Sequence, residues 1–541
     1  KACGSIGALD KGIQIHEMIV RERLLGEDIV LGNALIDMYA KCGVFGKALQ
    51  VLEEIPIRNV ISWNALIGGY TQFGRDCEAF TCFQVMRHEG LAPDVVTFIC
   101  ILKACSNLTT IKTGKQIHDE IMRRELVTRD IMLGTALINM YAKFGMFVKA
   151  QQVLDEIPIR NVVSWNALIS GYSQYGQWNQ ALSSFQRMQS EGLVPDTITF
   201  ISILKACGSI RAIGKGKQIH NDIVNRGLSD NMLIGNALVD MYAKCGMLAK
   251  AHEVMEQLSV RDVVSWSALI LGYTQKERSY EVFHCFERMQ SEGISPDMVT
   301  FLCILRASGD IGAMHRAIEI HAEIKGKGLL GKDMMIGTAL VDMYTRCGMI
   351  SKAQEVHEEL PVRDAVSWNA LISAYSQQGE SHLALSCLQL MHLEGLSPDE
   401  VTFLCVLSAC SHSGLLQETQ DLLDNMSKCY GIAPTLEHHT CMVVGLGCAG
   451  ELGEAISVVN MMPQSANSIA IWLPILGACR RWGNVKAAVS IFYHILQLDA
   501  SCSAAYILLA DVFGAAGMEE DAKKVESMRL KFAAGKTQGD V

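Results

Sequence analysis

Histidine, glutamate and cysteine are the residues of this sequence with the chemistry to hold a catalytic metal ion. The pattern H-x-E occurs four times, at His118/Glu120, His321/Glu323, His357/Glu359 and His392/Glu394. In hydrolytic deamination it acts together with C-x-x-C, because three ligands hold Zn²⁺ while the glutamate moves protons. The chain has nineteen cysteines but no C-x-x-C. We therefore predict no deaminase site and no enzymatic activity in this chain.

The other cysteines and histidines give no stronger sign of a site. Cys105, Cys207 and Cys410 recur in the motif [KS]-A-C, but Ser308 replaces the cysteine at the fourth equivalent place. A position that accepts serine is not a metal ligand, so we interpret these residues as reduced thiols in packed helices. Three further residues of metal-ligating types lie close together in the sequence: His438, His439 and Cys441. They lie inside a repeat, so we predict no metal there and no cofactor.

Composition favours a large ordered helical protein. Half of the 541 residues are apolar, only 10 are proline, and the formal charge is -10. The acidic balance argues against a broad non-specific nucleic-acid binder, although positive charge can still line one groove. No apolar run approaches the roughly 18 residues of a membrane helix. The chain begins at Lys1 within a repeat, so we expect a fragment whose targeting peptide is not present.

Three motifs recur with a period near one hundred residues. The tryptophans of S-W-[NS]-A-L-I are separated by 102, 101 and 102 residues: Trp63, Trp165, Trp266 and Trp368. The same period carries the histidines of [QE]-I-H and the tyrosines of [DN]-M-Y: His16, His118, His220, His321, Tyr39, Tyr141, Tyr242 and Tyr344. Each period divides into units such as 131–161, 162–196 and 197–231. Apolar residues at helical spacing, a Gly-containing turn such as Gly145, and Pro158 predict two short helices in each unit.

These motifs and unit lengths resemble the pentatricopeptide repeat proteins of plant organelles, in the subclass that alternates P, long (L) and short (S) repeats. The resemblance implies an all-α right-handed superhelix, an α-solenoid of about thirteen two-helix repeats. A partial L repeat would occupy 1–28, and tandem repeats would occupy 29–399. Within these, S repeats cover 29–59, 131–161, 232–262 and 334–364. P repeats cover 60–94, 162–196, 263–297 and 365–399. L repeats cover 95–130, 197–231 and 298–333.

The C-terminal part resembles the segment that follows the repeats in RNA-editing factors. Residues 400–435 and 436–467 look like terminal L and S repeats, and 469–541 look like the helical E region. Family members usually continue with K-x-P-G-x-S-W. Here Lys536-Thr537-Gln538-Gly539 lacks the proline, so we interpret this end as degenerate or truncated.

The resemblance implies that each repeat reads one base of single-stranded RNA. The fifth and last residues would contact the base edge, and the second residue, usually Val or Ile, would pack on its face. The pairs are Asn33/Asn59, Asn64/Asp94, Thr135/Asn161, Asn166/Asp196, Asn236/Asp262, Ser267/Asp297, Thr338/Asp364 and Asn369/Asp399. The alternative is that small polar residues at the start of a helix only cap its backbone. The L repeats carry Ile99, Ile201 and Leu302 at the fifth position and would be nearly silent.

The implied code predicts the target Y-U-n-A-U-n-U-G-n-G-U, read 5′ to 3′ from the S repeat at 29 to the P repeat at 365, with n opposite L repeats. Four arginines precede the last residue of the S repeats and either face phosphates or lie in solvated turns: Arg58, Arg160, Arg261 and Arg363.

The function implied by the resemblance is recognition of a C-to-U editing site in organellar RNA. The chain would be a monomer that acts with a deaminase supplied in trans, in the mitochondrion or alternatively the chloroplast, and not in a membrane. Two alternatives remain: a protein-binding scaffold similar to tetratricopeptide arrays, and a factor for RNA stability or splicing. A polar pair at a fixed place in each repeat favours base reading over peptide binding.

Overall fold

The computed structural model describes residues 2–22, 24–26, 28–127, 129–330, 333–461 and 468–536. These residues form α-helices, one 3-10 helix and turns, and they contain no strand, which confirms the all-α prediction. None of their helices is long and apolar enough to cross a bilayer. The predictions made for 462–467 and for the end of the E-like region at 537–541 concern residues outside the described ones.

Contacts divide the chain into an N-terminal half, Lys1–Gly272, and a C-terminal half, Tyr273–Val541. The helices of the first half are α1 (Ala2–Ile6), α2 (Leu9–Arg21), α3 (Ile29–Lys41), α4 (Phe45–Glu54), α5 (Val60–Gln72), α6 (Asp76–His88), α7 (Val95–Leu108), α8 (Ile111–Arg123), α9 (Ile131–Lys143), α10 (Phe147–Glu156), α11 (Val162–Gln174), α12 (Trp178–Ser190), α13 (Thr197–Ser209), α14 (Ile213–Asn225), α15 (Met232–Lys244) and α16 (Leu248–Gln257), with a 3-10 turn at Leu24–Gly26.

The boundary between the halves falls within α17 (Val263–Gln275). The remaining helices are α18 (Ser279–Ser291), α19 (Met298–Ile311), α20 (Met314–Gly326), α21 (Met334–Arg346), α22 (Ile350–Glu359), α23 (Ala365–Gln378), α24 (Ser381–Leu393), α25 (Glu400–His412), α26 (Leu416–Lys428), α27 (Leu436–Ala449), α28 (Leu452–Met461), α29 (Ile469–Arg481), α30 (Val485–Leu498), α31 (Ser503–Ala515) and α32 (Glu519–Lys536).

Odd-numbered helices are the first helices of the repeats and even-numbered helices are the second helices. In the N-terminal half, each first helix from α3 to α13 packs against its own second helix and against the next first helix. The same pattern holds in the C-terminal half from α19 to α29. Each half is therefore a stack in which a repeat buries its apolar faces mainly against its sequence neighbours, as in other solenoids. We keep S, P and L below as names for the repeats with the ranges given above.

Each class of first helix buries one large aromatic side chain. Tyr141 of the S helix α9, Trp165 of the P helix α11 and Phe200 of the L helix α13 are fully buried. Close approach also requires a small residue, because a Cβ added at Gly171 would lie 2.5 Å from Ala142 Cβ. The tight S-to-P contact places the start of each P helix beside the start of the preceding S helix.

The turn inside each repeat follows the sequence expectation. Gly145 separates α9 from α10 with a φ of +67°, a conformation that glycine adopts without steric cost. The second helix α10 then ends at Glu156, just before Ile157 and Pro158. From there the chain enters the next first helix, whose N-cap is the last residue of the repeat.

Candidate nucleic-acid interface

The last residue of each P repeat caps the next first helix. Asp196 Oδ1 accepts a hydrogen bond from the Thr199 N–H at 2.9 Å, and Asp196 N donates to Thr199 Oγ1 at 3.2 Å, which forms a capping box. Asp94 and Asp399 form the same box with the third residue of their following helices. The capping role that we considered for the fifth residues therefore belongs to the last residues.

The fifth residue of the P repeat lies directly against that cap. Asn166 Nδ2 donates to Asp196 Oδ1 at 2.8 Å, across 30 residues of sequence. The equivalent distances are 2.8 Å for Asn64 to Asp94 and 3.1 Å for Asn369 to Asp399. The two members of these three predicted pairs are therefore neighbours in space.

A third side chain completes each of these P-repeat groups, and the sequence analysis did not name it. The hydroxyl of Thr199, the third residue of the following L repeat, donates to Asn166 Oδ1 at 2.6 Å. Thr97 makes the same contact with Asn64, and Thr402 with Asn369, each at 2.6 Å. All three threonines are fully buried. The signal in the sequence was the recurrent T-F of the L repeats. By itself this motif indicates only core packing, and the structure adds the hydrogen bond of the threonine hydroxyl.

The S-repeat pairs are arranged less uniformly. Asn236 Nδ2 lies 3.0 Å from both carboxylate oxygens of Asp262. Longer contacts of 3.4 Å join Asn33 Nδ2 to Asn59 Oδ1 and Thr338 Oγ1 to Asp364 Oδ1. The distance between the fifth and last residues therefore varies more among the S repeats than among the P repeats.

The remaining two pairs are Thr135/Asn161 and Ser267/Asp297. The Thr135 hydroxyl donates to the Ile131 carbonyl at 2.8 Å, while Asn161 caps α11 through Ser164. Ser267 is buried in the N-terminal half, and Asp297 caps α19 in the C-terminal half.

Exposure differs between the members of a pair. The fifth residues Asn33, Thr135, Asn166, Asn236, Ser267 and Asn369 are between 6% and 9% exposed. The last residues are half-buried or exposed, and Asp94, Asp196 and Asp399 are exposed. A ligand therefore meets the carboxylate or amide of the last residue and only one edge of the fifth.

The carboxylates of Asp196 and Asp399 are stabilised in their charged form. Burial raises the pKa of Asp196, but hydrogen bonds from the Thr199 N–H, the Asn166 amide and the Thr199 hydroxyl outweigh it, so the net pKa is lowered. The pKa of Asp399 is lowered in the same way, by Thr402 and Asn369. Both groups are hydrogen-bond acceptors only at neutral pH.

A row of exposed apolar side chains follows the second position of the repeats. These side chains are between 41% and 71% exposed although they are large and apolar. In the N-terminal half they are Val30, Ile61, Val96, Met132, Val163, Ile198, Leu233 and Val264, and in the C-terminal half Val299, Met335, Val366 and Val401. Each lies three residues before a fifth position, so it can pack against the flat face of a group bound at that position.

Three of the four arginines at the ends of the S repeats, Arg58, Arg160 and Arg363, form an ion pair with a glutamate of the next repeat. Arg58 Nε donates to the Leu52 carbonyl at 3.0 Å, and its NH1 group pairs with Glu89 at 2.6 Å. Glu89 also accepts from the Trp63 indole N–H at 2.9 Å. Arg160 and Arg363 repeat this arrangement. These arginines therefore tie neighbouring repeats together through an ion pair.

Three of the four histidines of H-x-E, His118, His321 and His357, pack against an aromatic side chain. His118 Nδ1 lies 2.7 Å from Tyr141 Oη and His321 Nδ1 lies 2.8 Å from Tyr344 Oη. Burial lowers the pKa of both, and burial also lowers the pKa of His357 to about 4. Among the described residues, no group of three or more His, Cys, Asp or Glu is arranged to hold a metal ion.

Of the neighbouring residues His438, His439 and Cys441, the first has a structural role. His438 is buried, with Nε2 2.9 Å from the Glu400 carbonyl and Nδ1 2.7 Å from Thr435 Oγ1. Both ring nitrogens are engaged within the protein, which leaves neither available to a metal.

Comparison with known proteins identifies these repeats. A sequence model described as the PPR repeat family matches 58–107, 160–209, 261–310 and 363–412, and a model of the PPR repeat matches 33–60, 135–162, 236–263, 338–364, 401–430 and 437–465. The putative pentatricopeptide repeat-containing protein At3g15130 of Arabidopsis thaliana is 33% identical over 96% of this chain and 75% of its own length. The chain belongs to the pentatricopeptide repeat family.

Other pentatricopeptide repeat proteins of Arabidopsis thaliana are similarly related. At1g11290, chloroplastic, is 34% identical over 100% of this chain, which spans 66% of that protein. At3g57430, chloroplastic, is 32% identical over 95% of this chain, which spans 59% of that protein. The chain thus spans between about three fifths and three quarters of these relatives.

The fold matches a solved structure of the same family. The pentatricopeptide repeat protein PPR10, crystallised in complex with an 18-nt psaJ RNA element, superposes with a TM-score of 0.65 over 94% of this chain and 85% of that chain. The sequence identity is 16%, so the likeness establishes the α-solenoid fold.

Charge is distributed unequally among the first helices of these pentatricopeptide repeats. The P-repeat helices α5, α11, α17 and α23 carry no charged residue. The L-repeat helices carry exposed cations at their ninth position: Lys103, Lys205 and Arg306. The S-repeat helices end on a cation: Lys41, Lys143, Lys244 and Arg346. Lys41, Lys244 and Arg346 are each ion-paired with the aspartate four residues before them.

Proposed function

We propose that this protein binds single-stranded RNA in a sequence-specific way, with one base for each P and S repeat. The observation that carries the proposal is the contact between fifth and last residues, which repeats along the first helices of each half. In every such pair a polar group reaches the surface beside an exposed apolar side chain. Sequence-specific RNA readers combine these two features, because unpaired bases offer a polar edge and a flat face.

The hydrogen-bonding groups that the Asn/Asp pairs leave available are complementary to uracil. Asn166 gives one amide N–H to Asp196 and keeps a second N–H, while the Asn166 amide, the Thr199 N–H and the Thr199 hydroxyl all contact Asp196 at Oδ1. One donor and the carboxylate acceptor Oδ2 therefore remain. Uracil presents a carbonyl oxygen next to the N3–H donor, which complements that arrangement. Val163, exposed on the same helix, would pack on the face of the base.

The proposed target is Y-U-n-A-U-n-U-G-n-G-U. Thr135 with Asn161 would select A, and Ser267 with Asp297 and Thr338 with Asp364 would select G. The L repeats would contribute little base selection, since Ile99, Ile201 and Leu302 are half-buried apolar side chains at the fifth position. The exposed lysines of the L helices, Lys103 and Lys205, would contact phosphates, which position an RNA strand without reading its sequence.

We further propose that the chain recognises a site for C-to-U editing and acts with a deaminase supplied in trans. The repeat lengths support the alternating P, L and S subclass. The helices α29 to α32 continue the helix-pair pattern after the repeats, as an E region would. The relatives named chloroplastic support an organellar location and favour the chloroplast over the mitochondrion.

The experiment that tests base reading is selection from randomised RNA by the wild-type chain and two variants. Thr338→Asn should turn the preferred G opposite that repeat towards U and leave the other positions unchanged. The matched control is Ile201→Asn, which places the same side chain in an L repeat and should change the selected sequence much less.

A correct base contact is worth roughly 1–3 kcal/mol, so the change at Thr338 should be visible as a shift of about five- to a hundredfold in base preference. If Thr338→Asn leaves its position unchanged, or if both variants shift the sequence equally, one-repeat-one-base reading is wrong. Selection of no sequence at all by the wild type would contradict specific RNA binding.

A further inference from the structure

The P-repeat and S-repeat versions of the same Asn/Asp pair differ in one contact. In the P repeat, Asn166 Nδ2 bonds only Asp196 Oδ1. In the S repeat, Asn236 Nδ2 lies 3.0 Å from both oxygens of Asp262. The amide of Asn236 therefore occupies the carboxylate oxygen that the P repeat leaves open.

In these two repeats the difference follows from the hydroxyl of the third residue of the next repeat. Where the serine after an S repeat reaches the asparagine, as Ser62 does by donating to Asn33 Oδ1 at 2.7 Å, the amide is held as in the P repeat. The Thr199 hydroxyl shares its hydrogen between Asn166 Oδ1 at 2.6 Å, the shorter contact, and Asp196 Oδ1 at 2.9 Å, so the amide is held at its oxygen as well as at its nitrogen. The Ser265 hydroxyl, at the equivalent place after Asn236, donates instead to the Asp262 carbonyl at 2.9 Å. Asn236 Oδ1 is buried and has no hydrogen-bond partner among the described residues.

We propose that the buried threonine at the third position of three L repeats, at Thr97, Thr199 and Thr402, is a specificity-positioning residue for the base read by the preceding P repeat. Its hydroxyl holds the asparagine amide so that one N–H and the aspartate Oδ2 remain available to the base. The inference rests on the proposed RNA binding. It gives the L repeat a part in base selection although its own fifth residue is apolar.

The physical consequence is discrimination between uracil and cytosine. The two bases have the same size, but cytosine presents an amine donor and an N3 acceptor where uracil presents a carbonyl acceptor and an N3–H donor. When the asparagine amide has a fixed orientation, its N–H donor and the aspartate acceptor occupy fixed positions, and these positions match uracil but not cytosine. An amide without the threonine bond can move onto both carboxylate oxygens, as Asn236 does, and the order is then less strictly imposed.

The experiment measures Kd for the eleven-nucleotide target with U or C at base five, opposite the repeat 162–196. Thr199→Val removes the hydroxyl and keeps the shape of the side chain. It should reduce the ratio of the cytosine Kd to the uracil Kd by roughly three- to tenfold, the effect of one net hydrogen bond. Thr199→Ser keeps the hydroxyl and should retain the wild-type ratio.

The matched control is Ser265→Ala, measured with U or C at base seven, opposite the repeat 232–262. Thr199→Val and Ser265→Ala both remove an acceptor for the N-cap N–H, at 3.2 Å and 3.1 Å. Only Thr199 also contacts an asparagine amide, so Ser265→Ala should leave its ratio unchanged. In the wild type, the ratio at base five should exceed that at base seven.

The outcomes separate the inference from the function on which it rests. A wild-type preference for U at base five that persists in Thr199→Val overturns the positioning role and leaves RNA reading intact. A wild-type protein without preference at bases two, five and eleven overturns RNA reading and the inference with it. Thr97→Val, measured at base two, repeats the test in a second repeat, and circular dichroism of each variant checks its fold.

Discussion

The first helices of a P repeat and of the following L repeat have the same frame and different surfaces. Both α11 and α13 have 13 residues, a capping box and a fully buried aromatic side chain. They differ at the fifth position, Asn166 against Ile201, and at the ninth, Ser170 against Lys205. Positions that face the core or the neighbouring helix are shared, so the solenoid can vary its outward positions without changing its packing.

The largest effect should come from what the two helices share. Trp165→Ala and Phe200→Ala each remove a fully buried aromatic ring and should lower the free energy of unfolding by about 3–5 kcal/mol. Hydrogen exchange of the repeats around each site measures the loss locally, which suits a repeat array. Clearly unequal losses would show that the two classes of repeat do not contribute equally to the core.

A second prediction exchanges the fifth residue. Asn166→Ile makes the P helix resemble the L helix and should abolish the preference for U at base five, a loss of roughly 1–3 kcal/mol of discrimination. Melting temperature should change little because the aspartate still caps α13. RNA selection measures the result, with base eleven, opposite Asn369, as the internal control. If the variant still prefers U at base five, Asn166 does not read that base.

A third prediction concerns the ninth position. Lys103 and Lys205 are both exposed at this position, so both are available to phosphates. The double variant Lys103→Gln with Lys205→Gln should weaken binding of all RNA sequences alike and reduce the slope of log K against log salt by about 1.4, at about 0.7 per phosphate contact. Ser170→Lys should increase the slope by about half that amount. Salt slopes equal to the wild type would contradict phosphate contact at this position.

The smallest expected effect is a difference in the pH dependence of stability between the N-caps of the L helix and the P helix. Asp196 caps the L helix and has a lowered pKa, while Asn161 caps the P helix and does not titrate. A carboxyl with a lowered folded pKa contributes stability above its unfolded pKa and loses it as the pH falls through the folded value. Wild type should therefore lose more stability than Asp196→Asn between pH 6 and pH 2.

The difference should stay below about 1 kcal/mol, the usual worth of an N-cap. Thermal unfolding of the two proteins across this pH range measures it, and Asn161→Ser serves as a control without a titrating group. Identical pH profiles for wild type and Asp196→Asn would contradict the role of the charged cap.

The repeat pattern predicted the helices well because each repeat packs mainly against its sequence neighbours. Gly145 and Pro158 limit α9 and α10 through local backbone geometry, which requires no distant contact. The pairing of fifth and last residues came from the family resemblance, and the structure places most of the pairs in contact. That the last residue, and not the fifth, caps the helix depended on which side chain reaches the free N–H groups.

The sequence by itself determined the repeat lengths, the all-helical fold and the absence of a C-x-x-C motif, since each is local or can be counted along the chain. Tertiary structure decided the roles of side chains that meet across about thirty residues. Thr199 and Ser265 occupy equivalent positions and both carry a hydroxyl, yet one bonds an asparagine amide and the other a backbone carbonyl. Arg58 likewise pairs with Glu89 in the next repeat. A hydrogen bond depends on distance and angle, which the stacking of neighbouring repeats sets and the spacing of residues in the chain does not.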